Sequence, residues 1–266
     1  MEHEQPLDGG NATEGVVRIG DTVRKPWGPT TPAVHELMRT VAAAGIDVPA
    51  PLGRDAQGRQ VLELVPGELA LHGPPLTHEE LAEVGALIRE IHEACVGFRP
   101  SGLTPWEPLL PVPGGECELI CHGDLTPWNL MRGERTVFID WDGAAPSTRL
   151  WDLAYSAQAF TLNDPAAPPR EAAQALAALV DGYGADADLR ARLPRTMTLR
   201  TEAMWAMLRD AHREGREPWG SMFIAGHGGH WRRAADHVAR HEDVWAEALL
   251  APPVRDPRPV PVTPSD

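Results

Sequence analysis

The sequence predicts an α+β fold of two lobes, a small strand-rich one followed by a larger, mainly helical one. Short β-type runs dominate the first 65 residues, amphipathic helical patterns dominate after Gly67, and two short apolar runs near Asn129–Asp140 interrupt the helical part. The chain has 266 residues, 42% of them hydrophobic, which is long and apolar enough to bury a sizeable core. The expected boundaries are 1–65 for the small lobe, 66–250 for the large lobe and 251–266 for a proline-rich, disordered tail.

The elements follow in order. Val16–Ile19 and Thr22–Lys25 flank Gly20-Asp21 and read as a hairpin. Val34, Leu37, Met38 and Val41 recur at helical spacing between Ala33 and Ala44, and Gly45 stops the run. Pro49 and Pro51 break the chain, Gln60–Val65 reads as a strand, and Pro66-Gly67 ends it. Thr77-His78-Glu79-Glu80 is a capping-box pattern that opens a helix to Cys95 with Leu81, Val84, Leu87, Ile88 and Ile91 on one face. A Pro/Gly-rich loop spans 100–115. Short strands are expected at 119–121, 129–131 and 136–140, and helices at 151–160, 170–183, 189–213 and 230–250. The glycine-rich Ala225–Trp231 segment is expected to be an interhelical turn or part of a ligand pocket.

Composition narrows the function. A formal net charge of −14 has the wrong sign for binding nucleic-acid phosphates. No run approaches the ~18 apolar residues of a membrane span, and the acidic start lacks the pattern of a secretory signal, so the expected location is the cytoplasm. Cys95, Cys117 and Cys121 are too few for a disulfide framework, and their spacing with His122 is not that of a zinc knuckle.

The chemistry is concentrated in Cys121-His122-Gly123-Asp124-Leu125-Thr126-Pro127-Trp128-Asn129 and in Phe138-Ile139-Asp140-Trp141-Asp142. With a four-residue loop at 132–135, Met131 would oppose Thr136 and Asn129 would oppose Phe138. Asp140 would then share a face with Asn129, with Cα atoms roughly 7–8 Å apart. An amide oxygen and a carboxylate suit Mg²⁺, which takes its other ligands from water and phosphates. Asp124, on the loop entering the same end, is placed to accept the proton of an attacking hydroxyl.

His122-Gly123-Asp124, Asn129 five residues later, and Ile139-Asp140-Trp141-Asp142 together resemble the aminoglycoside phosphotransferase and choline kinase group, relatives of the protein kinases. The resemblance implies a protein-kinase-like fold, with Asp124 as catalytic base, His122 orienting its loop, and Asn129 and Asp140 binding metal. Trp141 stands where protein kinases have Phe. Asp142 is a second metal ligand or a solvated cap. Asp152, in Trp151-Asp152-Leu153-Ala154, resembles the group's downstream aspartate that braces the catalytic loop. His92 is expected on a helix surface.

On the nucleotide side, Lys25 shares a strand face with Val23 and is the expected phosphate cation, whereas Arg24 points the other way. The following helix offers His35 and Glu36 as its orienting partner, and Glu36 keeps the kinase chemistry. Leu64 and Val65 fall where the hinge backbone would hold adenine, and Gly9-Gly10-Asn11 is a candidate phosphate-covering turn. The expected activity is an ATP- and Mg²⁺-dependent transfer to a small-molecule hydroxyl, by a monomer or homodimer. An aminoglycoside or other amine-bearing acceptor comes first, and a neutral or metabolic alcohol is the alternative, ahead of a weakly catalytic nucleotide-binding module. The motive for a cationic acceptor is the acidity of the chain, with Glu202, Asp210, Asp236, Glu242 and Asp243 expected to line the cleft.

Overall fold

The computed structural model describes residues 3–7 and 15–250. The Gly9-Gly10-Asn11 turn and the 251–266 tail lie outside the described residues. Strands β1 (Gln5–Pro6), β2 (Val17–Ile19) and β3 (Thr22–Lys25) are followed by helix α1 (Thr31–Ala43), then β4 (Pro51–Arg54) and β5 (Gln60–Glu63). The five strands form one antiparallel sheet in the order β1-β2-β3-β5-β4. The predicted hairpin forms about Gly20, which takes a positive φ of 58°. Pro51 starts a strand where a chain break was expected. β4 lies at the edge of the sheet, where a missing N–H is tolerated. α1 buries Val34, Leu37, Met38 and Val41, the face its spacing predicts.

After Leu64–Gly67, β6 (Glu68–Leu69) leads to α2 (His78–Ala94), whose capping box is formed. The Thr77 amide donates to Glu80 Oε2 at 2.8 Å and the Glu80 amide to Thr77 Oγ1 at 3.2 Å. Then come β7 (Leu119–Cys121), β8 (Leu130–Arg132), β9 (Thr136–Phe138), a 3₁₀ turn at Trp141–Gly143, and β10 (Ala145–Ser147), which pairs with β7. β6 joins the edge of the β8–β9 hairpin. The rest is helical: α3 (Arg149–Thr161), α4 (Pro169–Tyr183), α5 (Ala187–Glu214), the single turn α6 (Trp219–Met222), α7 (Gly228–Arg240) and α8 (Glu242–Leu250).

Two glycines set how closely α2 and α4 approach. A Cβ at Gly85 would strike the Leu179 carbonyl, and one at Gly182 would strike that of Ala82, so each helix presents a bare backbone patch to the other. Their interface and the apolar faces of α3, α5 and α8 form the main core. A smaller cluster of Tyr155, Met204, Met207, Leu208, Trp231 and Ala234 lies between α3, α5 and α7.

Two expectations are corrected here. The hairpin register is Leu130↔Phe138, Met131↔Val137 and Arg132↔Thr136, so the loop is three residues long, not four. This register pairs the fully buried Leu130 and Phe138, which the expected one would have offset. The second concerns 225–231, where the expected interhelical turn is present but ends at His227. Phe223–His227 forms a π-type turn with a non-helical Gly226 (φ 116°), and Gly228, Gly229, His230 and Trp231 then open α7. Gly228 packs on the Phe223 ring, leaving no room there for a larger residue.

Candidate active site

Residues 122–129 form the loop between β7 and β8. Gly123 has φ +83°, and a Cβ on it would sit 2.7 Å from the Gly143 carbonyl oxygen, so both backbone conformation and space require glycine. His122 is wholly buried. Its Nε2–H donates to the Ile139 carbonyl at 3.1 Å and its Nδ1 accepts from the Asp124 amide at 3.2 Å, a pairing that defines one neutral tautomer. Burial lowers its pKa from the ordinary value, so the ring stays uncharged and acts as a strut between the loop and the end of β9. Asp152 supports the loop from below: its Oδ1 accepts from the Gly123 amide at 3.1 Å. Its Oδ2 lies 3.0 Å from His92 Nε2, whose Nδ1 meets the Tyr183 hydroxyl at 3.0 Å. His92 is therefore a fully buried bridge and not the surface residue expected from the sequence.

Asp124 accepts from Asn129 Nδ2 (2.8 Å), Trp128 Nε1 (3.2 Å) and Thr126 Oγ1 (3.2 Å). Burial, then the nearby Asp140 charge, raises its pKa to about 6, against the pull of those donors. Such a carboxylate is a better proton acceptor than an exposed one and is still ionised near neutral pH. Asn129 Nδ2 is used twice, on Asp124 Oδ2 and on the Asp124 carbonyl (3.0 Å). That fixes the amide orientation and leaves its oxygen as an acceptor. The Ile139 amide donates to the Asn129 carbonyl at 2.8 Å, which places Asn129 opposite Ile139 and not in the diagonal register expected, and both Asn129 and Asp140 line one cavity.

Asp140 is the sole non-glycine residue with positive φ among the described residues (φ 64°, ψ 58°). The left-handed region costs an ordinary L-residue about 1–2 kcal/mol and is tolerated best by Gly, Asn and Asp. This turn takes Asp140 off the β9 pleat and into contact with Lys25, whose Nζ lies 2.5 Å from Asp140 Oδ1 and 2.5 Å from Asp142 Oδ2. Burial alone would lower the Lys25 pKa, but the Asp142 and Asp140 carboxylates outweigh it and hold the ammonium above its ordinary value. The partly exposed Asp140 carboxylate and the Asn129 amide oxygen are hard donors, a set that fits Mg²⁺.

Glu36 does not orient Lys25. It faces outward and accepts from the Ser101 amide (2.7 Å) and hydroxyl (2.5 Å). One residue of helix rotation separates it from His35, which is buried and lies 3.2 Å from Gln60 Oε1. Gln60 Nε2 donates in turn to Asp142 Oδ1 at 2.9 Å and to the Pro26 carbonyl at 3.2 Å. The side chain that reaches the lysine cluster from α1 is thus a neutral imidazole acting through an amide. Arg24 points away, with its Nε 3.4 Å from Asp55. At the crossing, the Leu64 amide is taken by the Asp21 carbonyl at 3.0 Å, which leaves the hinge expectation to the other backbone groups of 63–67. Val65 is buried beside it.

A cavity of about 1080 Å³ runs from Thr30, Asp140 and Asp142 past Asp124 and Asn129 to an aromatic end. Trp128, Tyr155, Trp219, Trp231, Met204 and Arg200 line that end, together with His227 from the turn before α7. None of Glu202, Asp210, Asp236, Glu242 or Asp243 lines it. Asp210 pairs with Arg209, Asp236 with Arg232, and Glu242 with Thr198 and Arg195, so the acidity predicted to line the cleft is spent on helix surfaces. Gln60, Tyr155 and Arg200 were not foreseen. Arg200 had a signal: it interrupts the stripe Leu193, Met197, Met204, Leu208 and Ala211 at helical spacing.

Residues 105–194, which contain Asp124, Asn129, Asp140 and Asp152, match the family model of the phosphotransferase enzyme family (APH). The chain is 32% identical over 169 residues to the trifolitoxin immunity protein of Rhizobium leguminosarum bv. trifolii, a match covering 61% of this chain and 63% of that protein, so it spans less than two thirds of that relative. Three solved structures share the fold. They are an aminopropanol kinase associated with a microcompartment (TM-score 0.64, 14% identity, 93% and 94% of the two chains), an amicoumacin kinase in complex with AMP-PNP and Ca²⁺ (0.59, 14%, 88% and 88%), and a choline/ethanolamine kinase family protein from Mesorhizobium loti (0.55, 18%, 92% and 92%). The fold is protein-kinase-like, shared with these kinases.

Proposed function

We propose that this protein transfers the γ-phosphate of ATP, with Mg²⁺, to a hydroxyl of a small molecule held in the aromatic end of the cavity. The observation that carries the reading is the convergence of Asp124, Asn129 and Asp140 on one cavity, with the buried Lys25 ammonium against Asp140 behind it. Lys25 would exchange its carboxylate partners for the nucleotide phosphates. Asn129 and Asp140 would hold Mg²⁺, which neutralises phosphate charge when bound. Asp124 would orient the acceptor hydroxyl and take its proton as the new oxygen–phosphorus bond forms and the bond to the departing ADP breaks. Trp128 and Asn129 fix the carboxylate for this from one side, and His122 and Asp152 fix its loop from the other.

For the acceptor, an amine-bearing molecule is supported by the aromatic rings of Trp128 and Trp231, which offer cation–π faces. The amino compounds named for the structural neighbours point the same way. The immunity protein among the relatives supports a protective role, in which phosphorylation inactivates a toxic molecule. A cytoplasmic location is supported by the free thiols of Cys95, Cys117 and Cys121 and by the need for ATP. No helix among the described residues is long and apolar enough to cross a membrane.

The test is a coupled ADP-release screen of aminoglycosides, peptide antibiotics, macrolides and amino alcohols, with a thermal shift by Mg-ATP alongside. Mg²⁺-dependent, acceptor-dependent ADP release is expected. A thermal shift with no turnover of any acceptor would favour a nucleotide-binding module.

A further inference from the structure

Arg200 lies in the middle of α5 with 5% of its surface exposed, yet it has no hydrogen bond or ion pair among the described residues. Its Nε and Nη1 are enclosed without an acceptor; Nη2 is not among the enclosed atoms, and the residue lines the cavity. The guanidinium lies 3.9 Å from the centre of the Tyr155 ring and 5.7 Å from that of Trp151. Stacking holds the plane in place but satisfies no N–H. The carboxylates that feel its charge, Asp152 and Asp124, are occupied elsewhere: Asp152 by His92 and Gly123, Asp124 by Asn129, Trp128 and Thr126. A buried guanidinium with idle donors is costly, and a protein keeps one where a partner arrives from outside.

The partner must be an anion. A guanidinium has only donors, and its strongest partners are carboxylates and phosphates. The phosphates of the nucleotide have their own cation in Lys25, which is paired with Asp140 and Asp142 and makes no contact with Arg200. Arg200 belongs to the aromatic end, with Tyr155, Met204 and Trp231. We propose that Arg200 anchors a carboxylate carried by the acceptor, so that the molecule accepted here is a hydroxyl compound with an aromatic or aliphatic body and an acidic group. An amine on the same molecule is compatible with this, which makes amino-acid-like and peptide-like acceptors the favoured class. The identity of the occupant as acceptor rests on the phosphotransferase reading; the anion site itself does not.

The test uses binding and turnover separately. Isothermal titration of the full chain with N-benzoylglycine and with its uncharged amide needs no phosphoryl transfer. The acid is expected to bind about 10- to 100-fold more tightly than the amide, as a charge-assisted hydrogen bond in a dry site would give. Arg200→Gln should remove that preference and Arg200→Lys restore part of it. Arg195→Gln, on an exposed stretch of the same helix, should leave it unchanged. Equal binding of acid and amide by the wild type, binding of neither, or an acid preference that survives Arg200→Gln overturns the site, and the first two do not depend on a variant that folds. Mg-ATP binding and ADP release with hydroxy-acid and hydroxy-amide pairs form the second arm. An acid preference at Arg200 without nucleotide binding would sink the kinase reading and leave the anion site standing.

Discussion

Gln60 stands directly across the β3–β5 ladder from Lys25, and its side-chain amide donates to Asp142 Oδ1 while the lysine ammonium meets Asp142 Oδ2. The cation is thus aimed by an amide in its own sheet, with His35 of α1 behind that amide. Protein kinases use a glutamate on the helix for this task. Here a second carboxylate already sits at Asp142, so a neutral helix residue avoids placing a third negative charge around one ammonium.

Gln60→Leu is therefore expected to loosen Asp142 and Lys25 together and to raise the KM for ATP about fivefold, the worth of one hydrogen bond, with a smaller change in kcat. Gln60→Glu should be worse, since it adds like charge beside Asp142. Steady-state kinetics with varied ATP would read this. A Gln60→Leu variant with unchanged KM would show that Asp142 alone positions the lysine.

Asp140→Ala is expected to abolish transfer, because it removes the proposed metal donor and a partner of Lys25 in one step. Asp142→Ala should cost less, perturbing only the lysine and Gln60. Lys25→Ala should act chiefly on nucleotide use. Arg24→Ala should do little, since Arg24 pairs with Asp55 away from the cavity. Nucleotide titration and single-turnover transfer across the four variants give the ranking. Greater damage from Asp142→Ala than from Asp140→Ala would reassign the principal metal ligand.

Gly123→Ala is expected to lower the melting temperature by several degrees and kcat by tenfold or more. The left-handed backbone costs roughly 1–2 kcal/mol for alanine, and its methyl would also press on the Gly143 carbonyl. Thermal melts and turnover of the same preparation would show both losses. Wild-type behaviour would mean that the loop can reach its working shape by another route.

Why some of this was legible in the sequence and some was not is itself physical. Asp124, Asn129 and Asp140 could be read because local spacing and a short hairpin bring them near one another, whereas Lys25, 115 residues from Asp140, was legible only from its strand face and the family resemblance. The register slipped by one because Gly133-Glu134-Arg135 was not recognised as a three-residue turn, and pairing by loop length alone cannot see that Leu130 and Phe138 must be buried together. Glu36 was favoured over His35 on chemical type, whereas helix rotation, which decides the matter, turns Glu36 toward Ser101. The aromatic end of the cavity was closed to sequence reasoning because α3, α5 and α7 meet there only through long-range packing. An arginine in an apolar stripe was the one local trace of it.

Asp124→Asn should separate stability from catalysis. The carboxyl is half-buried on the cavity wall, with a pKa raised to about 6 from the ordinary 3.8. A carboxyl raised on folding makes the folded state hold its proton more tightly than the unfolded state does. Its ionisation then costs nothing below the unfolded value and its full penalty above the folded value of about 6. The gap corresponds to roughly 3 kcal/mol at pH 8. Asparagine never pays it, but it loses one acceptor oxygen among Asn129, Trp128 and Thr126, which offsets part of the gain. The variant is therefore expected to be more stable than wild type by about 1–2 kcal/mol at pH 8 in EDTA, with the advantage shrinking as pH falls from 6 toward 4. Urea denaturation across that range measures it. The same variant should lose about 10²-fold or more in kcat while still binding nucleotide, because asparagine cannot take the hydroxyl proton. A variant less stable than wild type at every pH would mean that the hydrogen bonds to the carboxylate outweigh its burial, and a near-wild-type kcat would remove Asp124 from the role of base.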